Sequence, residues 1–424
     1  MRDEANPYIE LVNDPPAAML AAILEGEEPE SYDAIVDRLE ETGCEVVEIA
    51  SSEHAFPWML EAKHPDGSAL LAPGGSPEPL VSHASSPELR AAVEAATWTL
   101  TASAPLGEEP LDGYQSLMRL LYAAAPDAVG YADTDSLTVH PYERIADLAS
   151  STVPPSPKIL FQVHAVFDDE GDDDTPVWMH THGLHRCGSI ELDVVGVPRC
   201  DAELYYQVIN TAATMMIEYG PPPPDDPFTV ARGLDVVWLP WEDSMAHVDD
   251  RALGGPDDRD DEDHTTVRGV LFVPGRGMLG GRKYKSLTAA RSTLADNPVF
   301  WVSGLETDRM SALAKVRFDR LRALFDRYGA ETEEWHFVVK LGYEVDGDEE
   351  EVGREHLWFE VHGVDGDEVD GTLLNQPHNI ARMSEGQRAR HDIARLSDWT
   401  VYSPHGAFTA DTIGTLEAIL EETA

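Results

Sequence analysis

Short strand and helix patterns alternate along the whole of this 424-residue chain, and tight turns join several neighbouring strand patterns. The pair Asp66 and Gly67, for example, separates the strand-like segments Trp58–Lys63 and Ala69–Leu71, and Asp-Gly is a strong hairpin signal. Hairpins give antiparallel pairing, whereas parallel strands need a long crossover connection. The alternation therefore predicts an α+β fold with mixed or antiparallel sheets and packed helices.

Breaks in this pattern divide the chain into several units, so we predict a multidomain protein. The Gly- and Pro-rich run Gly74–Pro79 is a loop or linker near the end of the first unit, and the acidic run 257–263 is typical of a solvated linker. Short strands with Gly-centred turns near the C-terminus predict a small SH3-like partial β barrel. The predicted units are a small α/β unit at 1–82, a central α+β domain at 86–248, an acidic linker at 249–266 and a C-terminal helix plus barrel-like domain at 267–424.

Local signals assign individual elements within these units. Helical spacing predicts helices at Ala17–Leu24 and Tyr32–Thr42, and Ser86 followed by Pro87 is a helix start. The segment Lys158–Phe167 is predicted to be a buried strand, and Val177–His182 follows it as a second strand.

The charge of the chain limits its partners. It has 79 acidic and 30 basic side chains, a formal net charge of −49. Binding a nucleic acid duplex requires clustered Lys and Arg, and an acidic field also repels anionic membrane surfaces. We therefore expect no nucleic acid and no membrane partner, and a charge that serves solubility.

Cysteine content and hydropathy point to a cytoplasmic protein. Three cysteines, Cys44, Cys187 and Cys200, are too few for a disulfide framework in a chain of this length. No apolar stretch approaches the roughly 20 residues of a membrane helix, and the first residues lack the pattern of a secretory signal.

A cluster of histidines is the strongest candidate for metal chemistry. His180 and His182 alternate on one strand, so their rings share a face, with His185 and Cys187 just beyond and His164 on a neighbouring strand. The alternative is that these histidines bond the backbone at a strand-to-turn junction. Since the spacing matches no standard zinc pattern, we predict no cofactor and keep His180, His182 and Cys187 as the candidate ligands.

A Gly-rich loop at 275–280 formally fits the pattern G-x-G-x-x-G but lacks the following helix that dinucleotide binding requires. Basic residues surround this loop. They suit either an acidic partner or internal pairing, and internal pairing is the favoured interpretation. These residues are Arg268, Arg276, Arg282, Lys283 and Lys285.

Three C-terminal motifs occur in a fixed order: Glu355–Glu360 (EHLWFE), Gly371–Pro377 (GTLLNQP) and Leu396–Trp399 (LSDW). Together they resemble an uncharacterised bacterial domain of unknown function, and the similarity spans about residues 295–420. The segment Val177–Leu184 (VWMHTHGL) resembles a motif of the same multidomain bacterial proteins. The resemblance implies no established activity, although related small domains occur among proteins suspected of immunity roles in toxin systems.

The C-terminal motifs also supply a candidate binding surface. Tryptophans near a sheet edge can form an aromatic platform for a partner, and the competing interpretation places them in the core. Glu355 and His356 are adjacent on a strand and so point to opposite faces. The candidate residues are Glu355, His356, Trp358, Asn375 and Trp399.

Three functions are compatible with these patterns. The favoured hypothesis is a non-enzymatic binding protein of the bacterial cytoplasm with a protein partner. The alternatives are an immunity-type protein that neutralises a toxin by charge complementarity and a metal-dependent hydrolase centred on the His-x-His cluster. No nucleophile motif is present, so we predict no catalytic residue, and the sequence leaves the oligomeric state open.

Overall fold

The structure is a computed structural model in which the strands form three sheets among the described residues, and the class is α+β, as predicted. The chain divides into two compact units, the first formed by Met1–Ser150 with Pro157–Val302 and the second by Ser151–Ser156 with Ser303–Ala424. The residues that the structure describes are 7–28, 31–49, 56–65, 67–168, 171–248, 253–255, 258, 266–276, 282–296, 300–329, 334–346 and 353–422.

The helices differ widely in length. In chain order, the α-helices are α1 Pro7–Asn13, α2 Asp33–Glu41, α3 Pro87–Ala95, α4 Pro110–Ala124, α5 Tyr142–Ser150, α6 Ala202–Tyr219, α7 Trp241–Ser244, α8 Arg291–Ala295, α9 Gly304–Val316, α10 Phe318–Tyr328 and α11 Ile413–Glu422. Short 3-10 helices are Glu78–His83, Pro157–Ile159, His185–Cys187, Arg199–Asp201, Leu287–Ala290 and Ile393–Arg395.

The strands are short, and most pair with antiparallel neighbours. In chain order they are β1 Ala18–Leu24, β2 Glu45–Glu48, β3 Leu60–His64, β4 Gly67–Pro73, β5 Trp98–Ala104, β6 Gly130–Asp133, β7 Thr138–Pro141, β8 Gln162–Val166, β9 Pro176–His182, β10 Glu191–Pro198, β11 Phe228–Ala231, β12 Leu234–Pro240, β13 Arg268–Arg276, β14 Arg282–Lys285, β15 His336–Glu344, β16 Arg354–Asp365, β17 Glu368–Leu373, β18 Arg388–Asp392, β19 Leu396–Ser403 and β20 Gly406–Thr409.

The first sheet has the order β2-β3-β4-β5-β1-β6-β7. The predicted helix at Ala17–Leu24 is wrong, because this segment is β1, which pairs with β5 on one side and β6 on the other. Its side chains are buried on both faces apart from that of Met19, so its apolar run carries no strand alternation. The predicted helices at 32–42 and 87 onward are confirmed as α2 and α3, and the Ser86 side chain accepts the Leu89 N–H at the start of α3.

The second sheet has the order β11-β12-β13-β10-β9-β8, with β14 paired to β13. The helix α6 contributes Tyr205, Val208, Ala212 and Met216 to a hydrophobic core that also contains residues of this sheet. The β10–β13 pair is parallel, and the other pairs of neighbouring strands described in this sheet are antiparallel. This order places β8 at one edge of the sheet, next to β9.

The two compact units differ from the segments predicted from the sequence. The first sheet takes strands from both sides of residues 82–86, so these segments are joined by backbone hydrogen bonds. The strand β13, which follows the acidic run, pairs with β10 and β12 of the preceding segment. Most of the predicted linker 249–266 lies outside the described residues, as does most of the Gly-rich loop 275–280.

The second unit contains a six-stranded antiparallel sheet with the order β18-β17-β16-β15-β19-β20. Its core joins α9, α10 and α11 to one face of the sheet through Leu313, Phe318, Phe359 and Leu416, among others. This order defines an antiparallel sheet, and the SH3-like barrel stays a prediction. Across the described part of the chain, no helix combines the length and apolar character needed to cross a membrane.

Candidate functional site

Three histidines meet on one face of the β8–β9 pair. His180 and His182 are two residues apart on β9, so their side chains share a face. The antiparallel register places His164 of β8 directly opposite His180, and Gln162 opposite His182. Because directly paired residues have Cβ atoms only about 4.5–5.5 Å apart, the register itself brings the third ring to the first two.

The three rings are close enough to hold one ion. The ring centroids of His164 and His182 are 4.8 Å apart, those of His180 and His182 are 4.9 Å apart, and those of His164 and His180 are 5.7 Å apart. One ligand nitrogen from each ring lies within 4.8 Å of the other two. His180 and His182 are buried, and His164 is half-buried. We call these three residues the histidine cluster.

A buried aromatic and charged group supports His180. The Trp178 ring lies 4.2 Å from the His180 ring, centroid to centroid. The Trp178 indole N–H donates to Asp193 Oδ1 at 2.8 Å, and Arg268 Nε donates to Asp193 Oδ2 at 3.3 Å. Arg268 also donates to the Thr181 carbonyl at 3.1 Å, so these side chains connect β9, β10 and β13 next to the cluster.

The chain turns sharply after His182. Gly183 adopts a φ of +110°, and a Cβ there would lie 2.4 Å from the Leu160 carbonyl oxygen, so only glycine fits. The Gly183 N–H donates to Glu191 Oε1 at 2.9 Å, and the Thr181 hydroxyl donates to Glu191 Oε2 at 2.6 Å. The turn therefore carries the next residues away from the face of the histidine cluster.

His185 is engaged in an ion pair and does not belong to the histidine cluster. Its Nδ1 lies 2.8 Å from Glu191 Oε1, and its Nε2 lies 3.7 Å from Asp135 Oδ1. Burial alone would lower the pKa of His185, but the hydrogen bonds and charges of Asp135 and Glu191 raise it to about 9. Burial alone would raise the pKa of Glu191, but the hydrogen bond and charge of His185 lower it to about 2. The pair is therefore ionised at neutral pH.

A second buried ion pair lies beside the first. Arg186 Nη1 and Nη2 donate to the two carboxylate oxygens of Asp133 at 2.7 and 2.6 Å, and both side chains are fully buried. Arg186 also donates to Asp135 at 3.1 Å, and the Tyr114 hydroxyl donates to Asp133 at 3.0 Å. The bidentate geometry neutralises two charges that the core could not hold separately.

Cys187 does not join the histidine cluster, which corrects the ligand set predicted from the sequence. It lies in the 3-10 helix His185–Cys187, beyond the turn at Gly183, and it packs against the hydrophobic core. Burial raises the pKa of the Cys187 thiol to about 12. Metal ligation requires the thiolate, so this thiol is a poor ligand at neutral pH. His164 supplies the third candidate ligand in its place.

The histidine cluster faces a cavity of about 570 Å³. Beside β8 and the two histidines of β9, the cavity is lined by Leu137, Thr138 of β7, Ser85, and by Ser82 and His83 of the 3-10 helix Glu78–His83. His83 adds a fourth imidazole to the cavity wall. The sequence analysis missed this residue because it precedes His164 by many residues, and no local pattern connects the two.

The basic residues around the Gly-rich loop have separate environments. Arg268 is buried and pairs with Asp193, which confirms internal pairing for this residue. Lys283 and Lys285 are exposed. The side chains of Arg276 and Arg282 lie outside the described part of the structure.

The candidate surface in the second unit is largely occupied by internal contacts. Trp399 is fully buried and its indole N–H donates to the Ala314 carbonyl at 2.9 Å, so this residue belongs to the core and not to a binding surface. Glu355 accepts hydrogen bonds from the backbone N–H groups of His378 and Asn379, at 2.7 and 2.8 Å. As predicted, Glu355 and its neighbour His356 point to opposite faces, because they occupy successive positions of β16.

The other candidates of this surface lie around Trp358. The Asn375 Oδ1 atom accepts a hydrogen bond from the Trp358 N–H at 3.1 Å. The Lys340 ammonium lies 5.4 Å from the centroid of the Trp358 ring. The His356 Nδ1 atom lies 2.7 Å from Ser397 Oγ, and burial lowers the pKa of His356, as do the charges of Lys340 and Arg354.

Two family models match the chain. Residues 163–272 match the model described as "Protein of unknown function (DUF4026) C-terminal", and residues 331–422 match "Uncharacterized protein conserved in bacteria (DUF2314)". The first match contains all three residues of the histidine cluster, and the second contains the strands β15 to β20. No curated protein and no solved structure matches the chain. The two matches support a multidomain bacterial protein that carries two domains of unknown function.

Proposed function

We propose that this protein binds a divalent transition metal through His164, His180 and His182. The observation that carries the proposal is the convergence of three imidazoles from two paired strands, with one nitrogen of each within 4.8 Å of the others, at the wall of a cavity. Imidazole nitrogen suits zinc, copper, nickel and iron, and three histidines with an open fourth position form a known type of zinc site.

The separation of the nitrogens is compatible with an ion after small side-chain movements. At a Zn–N distance of about 2.0–2.1 Å, tetrahedral geometry places ligand nitrogens about 3.3–3.4 Å apart. The widest separation in the cluster therefore has to shorten by at most about 1.4 Å. Rotation about χ2 of an imidazole has a broad energy profile, so this adjustment needs no change in the strand register.

The proposal alters the balance between the hypotheses drawn from the sequence. The expectation of no cofactor depended on the absence of a standard zinc spacing, and a ligand set divided between two strands has no such spacing. Binding remains the proposed role, with a cytoplasmic location in keeping with three free cysteines. A protein partner and an immunity-type role stay predictions from the sequence.

Metal-dependent hydrolysis is the second candidate function. It is favoured by the open side of the cluster, since three protein ligands leave a coordination position for water next to the cavity. A metal ion lowers the pKa of bound water and so supplies a nucleophile at neutral pH.

Metal titration of the purified, chelator-treated chain tests the proposal. We expect calorimetry with zinc to give about one equivalent bound to the wild type. The variants His164→Ala, His180→Ala and His182→Ala should each lose more than about 100-fold in affinity, because even outer partners of metal ligands are worth 10–100-fold. His405→Ala, which removes an exposed histidine of the second unit, should bind as the wild type does.

The acidic surface requires that the metal titration be done at a raised salt concentration. A chain with a formal charge of −49 attracts divalent cations without a specific site. The titration is therefore run in about 0.3 M salt, where charges separated by more than several ångströms are screened. Binding that is equally strong in the three cluster variants and in the control, or no binding at all by the wild type, would contradict the proposal.

A further inference from the structure

We propose that the cavity beside the histidine cluster binds a small oxyanion, such as a phosphate or carboxylate group, with one of its oxygens on the metal. This inference depends on the metal site proposed above and names the class of ligand that completes it. Its basis is the charge and the hydrogen-bonding capacity of the cavity wall.

Neutral ligands leave the metal with its full charge. Three imidazoles bind as neutral groups, so a divalent ion in the cluster keeps a charge of +2. Among the described residues that line the cavity, none is Asp, Glu, Lys or Arg. In a chain with 79 acidic residues, this wall therefore provides no carboxylate to neutralise the ion.

The buried carboxylates near the cluster are already neutralised by other groups. Asp193, which lies opposite His180 in the register of β9 and β10, is held by Trp178 and Arg268. Glu191 is held by protonated His185 and by the Thr181 hydroxyl. An anion from solution is therefore the species that best balances the metal.

The cavity wall also offers polar groups to the outer oxygens of such an anion. Ser82, Thr138 and Gln162 now donate to backbone carbonyls at 3.5, 3.3 and 3.5 Å, which are long contacts that a ligand can replace at low cost. Ser85 and His83 lie on the same wall. The volume of about 570 Å³ is within the range of small-molecule sites, so the oxyanion can carry a small organic body.

Cobalt(II) in place of zinc gives a direct test, because its visible absorption reports both metal binding and changes in coordination. The full-length chain loaded with one equivalent of Co²⁺ is titrated separately with inorganic phosphate, acetate and neutral imidazole at constant ionic strength. We expect saturable changes in the d–d bands with phosphate or acetate, and the stronger of the two identifies the headgroup. Gln162→Leu should weaken anion binding by about tenfold, the equivalent of one hydrogen bond, while the affinity for Co²⁺ is unchanged.

The possible failures are distinguishable. If the chain binds no cobalt, the proposed metal site fails. If cobalt binds with the d–d spectrum of a histidine site but neither anion changes that spectrum, the metal site stands and the oxyanion inference is overturned. A response to imidazole alone, or an anion response that Gln162→Leu and Thr138→Val both leave unchanged, also overturns the inference.

Discussion

The histidines of the central sheet and the polar residues of the C-terminal sheet differ in what their side chains face. On β8 and β9, the strand register aligns three imidazoles at a cavity, and the neighbouring charged groups Asp193 and Arg268 are paired with one another. On β16 and its neighbours, Glu355 and Asn375 accept hydrogen bonds from the backbone N–H groups of His378 and Trp358, and Trp399 lies in the core.

This difference shows why residue type alone does not identify a site. Both regions carry histidine, tryptophan and carboxylate residues close together in sequence. In the C-terminal sheet those groups stabilise loops and the core. In the central sheet a buried ion-pair network takes up the carboxylates and leaves the imidazoles directed to a common point.

Loss of the Arg186 charge should be the most destabilising change. Arg186→Met leaves the fully buried carboxylate of Asp133 without its ion-pair partner, which typically costs about 3–5 kcal/mol. Urea unfolding followed by circular dichroism measures the change in the free energy of unfolding. The exposed ion pair of Arg388 with Asp370 in the second unit provides the control. Arg388→Ala should change the free energy of unfolding little.

The double variant Asp133→Asn with Arg186→Met identifies the cause of the loss. Since it removes the uncompensated charge and keeps an oxygen acceptor for Tyr114, it should be at least as stable as Arg186→Met alone. A double variant that loses the sum of the two single effects would contradict the ion-pair account.

Truncation of Trp399 should destabilise the second unit far more than truncation of Trp358. Trp399→Ala empties a fully buried site and leaves the Ala314 carbonyl without its indole donor, at a cost of about 3–5 kcal/mol. Trp358 is half-buried, so Trp358→Ala should cost clearly less. Thermal or urea unfolding of both variants measures the two losses of stability. Equal losses would contradict the placement of Trp399 in the core.

The stability of the first unit should fall at alkaline pH through His185. Its folded-state pKa of about 9 exceeds the ordinary value of 6.5, so its contribution is complete below about pH 6.5 and is lost as the pH rises through 9. The lowered pKa of Glu191 has the opposite sign, and that contribution is complete above about pH 4.5 and is lost as the pH falls through about 2. Both contributions are complete between about pH 4.5 and 6.5.

The measurement is the free energy of unfolding at pH 6 and pH 9.5. We expect a loss on the order of 2–3 kcal/mol in the wild type, from the groups that face His185, namely Asp135 and Glu191 with Arg186 beside them. His185→Gln should flatten the profile between these values. If the variant keeps the alkaline slope of the wild type, His185 is not the group responsible.

His356 in the second unit should behave in the opposite way, with a smaller effect. Burial and neighbouring positive charges lower its pKa, so its neutral form is favoured, and the stability it contributes is lost as the pH falls below its ordinary value. NMR titration of the ring carbons should give His356 a midpoint below the ordinary value of 6.5. A midpoint at or above 6.5 would contradict this prediction.

Much of the fold is predictable from local signals, and the exceptions have a physical cause. The predicted hairpin is confirmed by the pairing of β3 with β4, in which His64 lies opposite Gly67, and Ser86 gives the start of α3. The segment Ala18–Leu24 fails because a strand buried on both faces has the composition of a short buried helix and no alternation. The strands β11 and β12 form a hairpin that turns at Gly233, which has a φ of +82°.

The site is only half predictable for a related reason. The alternation of His180 and His182 fixes their shared face from the sequence alone. The place of His164 opposite His180 depends on the β8–β9 register, and the presence of His83 on the cavity wall depends on the packing of a distant 3-10 helix. Cys187 is close in sequence, but the turn at Gly183 directs it into the core.

X-ray absorption at the zinc edge of the stoichiometrically loaded chain identifies the atoms that bind the metal. We expect three imidazole nitrogens at about 2.0–2.1 Å with one further light atom, and a loss of one imidazole contribution or of the metal in His164→Ala. A sulfur scatterer at about 2.3 Å would place Cys187 in the site, and a shell of oxygens without imidazole would place the metal on the acidic surface. Either result would contradict the account.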